Sequence, residues 1–406
     1  MTPEQKELFG IIMMPFTYGF VGWFTNWVAL KMTFYPLKFW GIPPYLGWQG
    51  IIPRKAYKMA NKSVDVITGK LITVQEIFDR IEPDGLLKEM EPLINKAIRE
   101  VTRDVVETIN PALWMMMPDK LKEDIFKESE AQAPIAFKTI VLNLRKNINQ
   151  VFDLKAMVLN RLSGDNIVLV VDIFQTVGGP EFRFIEVSGL YFGFLLGLVQ
   201  IVIWYFFPVW WTLPIQGIIV GYVTNWLALE MIFRPLTEKK FGPFKYQGLF
   251  LKRQDAVSKQ YAHFVAEKIL NSRNLLEELL YGKAADEVYN VIREAIVRAM
   301  ENTAVVAQPV ISLTVGGEKY LALKKEIIAK MIGIAPKSID KIEKYVEISM
   351  ALEDTMYDRM RKLTPAEFEN VLRSAFQEDE LLLILIGAVL GAIVGLFQGL
   401  YMIWGF

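Results

Sequence analysis

One sixteen-residue stretch occurs twice in this chain, and it constrains everything else the chain can be. GWFTNWVALKMTFYPL, Gly22 to Leu37, returns as GYVTNWLALEMIFRPL, Gly221 to Leu236, at a constant offset of 199 with ten identities and no gap. Chance does not produce such a match, so the two copies are expected to occupy equivalent environments. The likeness runs on: Trp48-Gln49-Gly50 meets Tyr246-Gln247-Gly248, and Lys70-Leu71-Ile72 meets Lys268-Ile269-Leu270. The ladder Gly189, Gly193, Gly197 with Gln200 recurs as Gly387, Gly391, Gly395 with Gln398 at offset 198. Each half therefore reads as an apolar segment, about 150 mixed residues, and a second apolar segment.

The apolar segments are Leu8 to Met32, Val187 to Phe207, Ile215 to Phe233 and Leu381 to Ile403. At about 1.5 Å per helical residue each can cross most or all of a hydrocarbon core of roughly 30 Å. The expected division is 1–33, a tail and first transmembrane helix; 34–186, a helical soluble domain; 187–233, a transmembrane hairpin; 234–380, a second helical soluble domain; and 381–406, the fourth transmembrane helix. The N-terminus, Met-Thr-Pro-Glu-Gln-Lys-Glu, lacks a basic n-region, so the first run is expected to stay as an anchor. The fold class that follows is mainly α: an integral membrane protein with four transmembrane helices and two helical soluble domains. With two crossings per unit the tandem repeat is parallel, with a pseudo-two-fold axis along the membrane normal.

The duplicated Thr-Asn-Trp, Ala-Leu, Met, Phe, Pro motif, with Leu363-Thr364-Pro365-Ala366-Glu367-Phe368-Glu369 leading to Phe376-Gln377-Glu378-Asp379-Glu380, resembles the domain of unknown function 445 family, the YheB-like bacterial membrane proteins. The resemblance covers both halves, implies a bacterial membrane protein and assigns no activity. Some members of that family carry apolar segments mainly at their two ends. This chain adds a strong central pair, so its topology is argued from its own residues.

Between the crossings the pattern is helical. Val64, Ile67, Leu71, Val74 and Ile77 recur at three or four, as do Met90, Ile94, Ile98, Val101 and Val105. Thr73 and Glu76 have capping-box spacing inside the first pattern, which leaves a boundary there open, and Glu82-Pro83-Asp84-Gly85 reads as a stop and turn. Ser338 to Arg361 reads as one charged helix, and Thr364-Pro365-Ala366-Glu367 as a capped helix start. Phe34 to Pro53, rich in Pro, Gly and aromatics, cannot propagate a helix; a segment lying along the membrane surface and a structured linker both fit. Ile167 to Phe174 is a short apolar run that periodicity assigns to neither strand nor helix, though comparison with 367–376 favours helix. Thr176-Val177-Gly178-Gly179-Pro180 is expected to break it. Leu113 to Pro118, with three methionines, reads as core filling ahead of a ligand patch.

Basic residues set the orientation. Lys31, Lys38, Arg54, Lys55, Lys58, Arg183, Arg234, Lys239, Lys240, Lys245, Lys252 and Arg253 flank the mixed regions, while the opposite side offers Lys6. By the positive-inside rule those regions face the cytoplasm, which places the protein in the bacterial cytoplasmic (inner) membrane.

Composition removes several kinds of chemistry. Forty-five basic and 45 acidic side chains leave no basic excess for a nucleic-acid partner. The absence of cysteine removes thiolate catalysis and Cys-ligated metal centres, and His263 is the one imidazole. Neither Gly178-Gly179 nor Gly316-Gly317 continues into a phosphate loop. No catalytic constellation, cofactor or metal is expected.

The residues that stand out lie in the repeats: Thr25, Asn26, Trp27 and Lys31 against Thr224, Asn225, Trp226 and Glu230, with the ladders Gly189, Gly193, Gly197 and Gly387, Gly391, Gly395. An Asn amide in hydrocarbon needs a partner, so Asn26 and Asn225 either tie the bundle together or mark a functional site. Lys31 and Glu230 are opposite charges at matching positions and can pair if they face the pseudo-axis. Small residues four apart let helices approach closely in lipid. Three functions remain: binding or transfer of an amphipathic ligand such as lipid by the greasy helical domains, which ranks first; a permeation or transport path at the repeat interface; and a scaffold for other membrane proteins.

Overall fold

Helix dominates a chain whose apolar runs have no other way to satisfy their backbone in lipid. The computed structural model describes residues 3–42, 46–109, 111–162, 166–315, 317–373 and 380–404. Pro43-Pro44, Asn110, Gly316 and the acidic residues 378–379 lie outside the described residues. In chain order the longer helices are α1 (Pro3–Phe34), α2 (Ile51–Val66), α3 (Pro83–Ile109), α4 (Asp119–Ala131), α5 (Ala133–Lys146), α6 (Ile167–Phe206) and α7 (Thr212–Phe233). They continue as α8 (Gln254–Phe264), α9 (Ser272–Tyr281), α10 (Ala285–Val315), α11 (Gly317–Ile332), α12 (Ala335–Met350), α13 (Pro365–Arg373) and α14 (Glu380–Trp404). Two antiparallel hairpins, β1 (Trp40–Ile42) with β2 (Leu46–Trp48) and β3 (Lys239–Phe241) with β4 (Phe244–Tyr246), complete the description.

Contacts divide the chain into two compact units: residues 1–66, 159–264 and 357–406 form one, and residues 67–158 and 265–356 form the other. The mixed regions 34–186 and 234–380 are thus each shared between both units, a partition that linear reading does not suggest.

The first unit contains α1, α6, α7 and α14, which among the described residues are the four helices long and apolar enough to cross a membrane. Their outward side chains, among them Phe16, Phe20, Tyr191, Val202, Val389 and Phe397, are apolar and exposed, while Met14, Tyr18, Val21, Trp204, Leu213 and Val220 fill the inside. A helix apolar all round belongs in lipid. α1 packs antiparallel on α6 and α7 on α14, and the glycines set the spacing. A Cβ on Gly189 would strike the Gly22 carbonyl, one on Gly193 the Tyr18 carbonyl and one on Gly197 the Pro15 backbone. A Cβ on Gly387, Gly391 or Gly395 would likewise strike the carbonyls of Gly221, Gly217 or Leu213.

α6 corrects the expected break at 176–180, because one unbroken helix of 40 residues runs through Gly178-Gly179-Pro180. Pro180 removes a single ladder hydrogen bond. Against that, Val177, Gly178, Glu181 and Ile185 are all buried on one face, where a Cβ on Gly178 would collide with the Phe182 ring. Packing outweighs the local propensity. The short run 167–174 is helical as part of it. Glu181, almost wholly buried, takes a 2.5 Å charge-assisted hydrogen bond from Arg253 Nη1, which pins this projecting part of α6 to the start of α8.

The Pro- and aromatic-rich stretches after α1 and α7 are hairpin loops closed on their own roots. Gln49 Nε2 donates to the Leu37 carbonyl (2.9 Å) and Gln247 Nε2 to the Leu236 carbonyl (3.1 Å). Gly50 and Gly248 then pass so close to the ends of α1 and α7 that a Cβ would meet the Phe34 or Phe233 backbone. Trp40, Ile42 and Leu46 remain exposed on the first hairpin.

The second unit contains α3–α5 and α9–α12. Thr73 caps a new short helix, Val74–Asp79, by accepting from the Glu76 N–H (3.3 Å), so the sequence pattern there contains a real boundary. The expected stop and turn falls at Arg80 to Glu82, and α3 starts at Pro83, a position where a missing N–H costs nothing. The expected helix 338–361 is also divided. Ala351 adopts φ 44°, and Arg80 Nη1 donates to the Met350 carbonyl (2.7 Å) and Thr355 Oγ1 (2.6 Å) at the break. In the first unit, Thr364 and Glu367 form the expected reciprocal cap.

Two predictions follow from the packing. Gly193→Leu and Gly391→Leu should each lower stability by more than the ~1–3 kcal/mol of ordinary overpacking, since backbone cannot yield as a side chain does; unfolding in graded detergent denaturant measures it. Arg253→Ala, which strands a buried carboxylate, should cost about 3–5 kcal/mol. Glu181→Ala should cost distinctly less, because its partner is about a third exposed and reaches water.

Candidate functional site

Two places carry chemistry worth building from the residues: the polar motif within the membrane helices, and the interior of the second unit.

In the membrane unit the repeated Asn and the first glycine of each ladder belong to one contact. Asn26 Nδ2 donates to the Ile185 carbonyl (2.6 Å), and a Cβ on Gly189 would crowd that same amide. Asn225 Nδ2 donates to the Leu383 carbonyl (2.8 Å), and a Cβ on Gly387 would fall on its amide. Thr25 and Thr224 turn their hydroxyls back onto carbonyls of their own helices, Gly22 and Val220. Trp27 and Trp226 face outward. The motif therefore joins each helix to its antiparallel neighbour through Nδ2, while the Oδ1 of each Asn is buried without a hydrogen-bond partner.

Lys31 and Glu230 do not meet: among the described residues no ion pair joins them. Lys31 Nζ stands 5.9 Å from the centroid of the Tyr35 ring, and Glu230 acts on Tyr246, whose phenol is pushed above its ordinary range first by burial and then by that charge. Sequence reasoning passed over Tyr18, whose hydroxyl donates to the Leu213 carbonyl (3.2 Å) and so links the two helix pairs. It is one Tyr in an apolar run, and nothing in the spacing marks it.

The second unit holds a cavity of about 550 Å³, within the ~300–1,000 Å³ of ordinary ligand pockets. Both halves of the chain build its wall. α3 supplies Leu86, Met90, Ile94, Ile98 and Val101, α5 supplies Phe137, Ile140 and Leu144, and α9, α10 and α12 supply Leu276, Ile292 and Ile342. Among the described residues the polar exceptions in the lining are Thr102, Ser129, Gln132, Arg145, Lys324 and Ser338, with no carboxylate among them. Ser129 and Ser338 donate to carbonyls of their own helices.

Staples across the halves hold this wall in place. Beside Arg80, Tyr345 Oη donates to the Glu82 carbonyl (3.2 Å) at one end of α3, and Lys330 pairs with Asp104 (2.8 Å) near the other. Arg99 draws α4 onto α3 by bridging Glu123 (3.0 Å) and Glu130 (2.6 Å), and holds the Glu123 carboxyl below its usual range. The heptad-like face of α3 was legible as a buried stripe. That it borders empty volume was not, because core and cavity walls share one pattern. The methionine stretch reverses its expectation: Trp114 is buried against Phe126, but Met115 and Met116 are exposed and fill no core. Among the described residues no cluster of His, Asp or Glu has the arrangement of a metal centre.

Glycine-spaced apolar helices joined to a helical unit with a greasy interior define a helical membrane protein. Residues 215–313 match the family model described as Protein of unknown function (DUF445). A UPF0754 membrane protein of Nostoc sp. is 22% identical over 439 aligned positions, covering 99% of this chain and 98% of the relative. One of Rippkaea orientalis is 30% identical over 156 residues, 36% of this chain and 35% of that protein, and one of Halalkalibacterium halodurans is 35% identical over 75 residues, 18% and 20%. Over these stretches the chain is similar to the DUF445 and UPF0754 membrane proteins. No solved structure matches it.

The geometry at Lys31 and Glu230 makes a numerical prediction. In a double-mutant cycle of Lys31→Glu and Glu230→Lys, the coupling should lie within about 0.5 kcal/mol of zero. A large coupling would mean that the two charges meet.

Proposed function

We propose that this protein binds an amphipathic ligand of the lipid class and exchanges it with the bilayer, without converting it chemically. The observation that carries the reading is the cavity: a space of about 550 Å³ with an almost wholly aliphatic wall, in a protein whose other unit is built for lipid. Each methylene moved from water into such a space contributes about 0.8 kcal/mol. A permeation path between the helix pairs has less support, since the Asn amides are bonded within their own pairs and Met14, Tyr18, Val21, Trp204, Leu213 and Val220 fill the interior.

The same reading includes a parallel internal repeat with a pseudo-two-fold axis, and an inner-membrane location with the mixed regions in the cytoplasm. The matched Asn-to-carbonyl bonds and glycine contacts of the two helix pairs support the first. The crowd of Lys and Arg at one set of helix ends supports the second.

Protein extracted in mild detergent should carry phospholipid or fatty acid above an unrelated four-helix membrane protein purified alongside, by mass spectrometry. Ile292→Trp, which fills the cavity, should remove the excess. A profile equal to the control would leave the binding function without support. For orientation, the Cys-free background allows single cysteines: at Lys88 and Glu343 they should resist an impermeant reagent applied to intact cells, and at Thr212 one should react.

A further inference from the structure

The cavity is a slot. Its wall follows α3 from Leu86 to Thr102, which at about 1.5 Å per residue is a length of roughly 24 Å. That is room for one extended long acyl chain. Along this length the lining is apolar, but near the Leu86 end stands Arg145, at the C-terminal end of α5.

The donors of this guanidinium are unevenly used. Nη2 donates to the Ile81 carbonyl. Nε is buried and has no hydrogen-bond partner in the protein. Its nearest carboxylate oxygen, Asp79 Oδ1, is 3.9 Å away, outside hydrogen-bond reach, and that oxygen already accepts from Gln75 Nε2 at 2.9 Å. A buried N–H on a cation is costly to leave unpaired. The cation has five donors, enough to serve Asp79, a carbonyl and one further anion.

Resting on the reading of the cavity as an acyl site, we infer that its occupant is a single-chain anionic amphiphile, a fatty-acid-like molecule, with its carboxylate at Arg145 and its chain along α3 toward Thr102. Among the described residues the lining holds no acidic side chain, Asp79 beside Arg145 lying outside it, and a charge-assisted hydrogen bond from a planar guanidinium suits a carboxylate better than a hydroxyl. A neutral lipid offers Nε only a hydroxyl or ester oxygen, a weaker acceptor than a carboxylate.

The test uses the full-length protein in phosphatidylcholine nanodiscs with two diazirine photoprobes of equal length, a hexadecanoic acid and a hexadecanol, the crosslinked peptides being mapped by mass spectrometry. The acid is expected to label α3 and α10 and to be competed by hexadecanoate. Arg145→Gln should lower that labelling about tenfold, the effect of one lost charge-assisted hydrogen bond. Labelling by the alcohol should stay unchanged in the same variant, which also reports that the unit is folded. Lys324→Gln should alter neither. Equal labelling by both probes, indifferent to Arg145, would overturn the anionic head and leave the acyl cavity standing. Labelling confined to the membrane helices with both probes would overturn the cavity reading itself.

Discussion

Lipid gives two apolar helices no hydrophobic reason to meet, so what they gain must come from contact itself. In this protein the contact is backbone on backbone. Gly22 faces Gly189, Gly217 faces Gly391 and Gly221 faces Gly387, with no side chain between them. That closeness is what lets Asn26 and Asn225 reach carbonyls on the neighbouring helix, and those two hydrogen bonds in turn fix the register. A slide of one residue would remove the Asn from its carbonyl and put a side chain where only a glycine fits. The hairpin roots depend on the same register, since Gly50 and Gly248 pack against the last residues of α1 and α7.

Much of this is legible in the sequence alone. The glycine ladders and the repeated Asn announced themselves by spacing, and Thr364 with Glu367 announced a cap that forms as read. What could not be read was pairing. Asn26 and Gly189 were both singled out, yet only the fold shows that they belong to one contact. Lys31 and Glu230 look like partners because their charges are opposite, yet among the described residues no ion pair joins them, and Lys31 stands over the Tyr35 ring. Gly178-Gly179-Pro180 looked like a break because local propensity is all a short window contains. The buried face of α6 and the Glu181–Arg253 bond lie outside any such window. Ala351 in the left-handed region has no sequence signature at all, since the guanidinium that occupies the neighbouring carbonyl comes from Arg80, far away in the chain.

The cavity shows the same limit in another form. Helix faces that line a space and helix faces that fill a core are written with the same residues, and the difference lies in how far apart staples such as Arg80, Tyr345 and Lys330 hold the helices. An apolar space lined this way has a thermodynamic side. Its walls forgo the dispersion contacts that a filled core would have. A ligand that bound there would stabilise the folded unit by mass action, which would link the stability of the second unit to the supply of that ligand.

The second unit is woven from two distant parts of the chain, 67–158 and 265–356. A ribosome that has released the first of them has made half a wall and none of its counterpart. The residues through 356 take roughly 10 to 40 s more at about 5–20 residues per second, with two apolar helices to be inserted on the way. For that interval the side of α3 that will meet α11 and α12 is uncovered. The surface that ends as an interior thus begins as exposed apolar surface on the growing polypeptide, the kind that promotes aggregation.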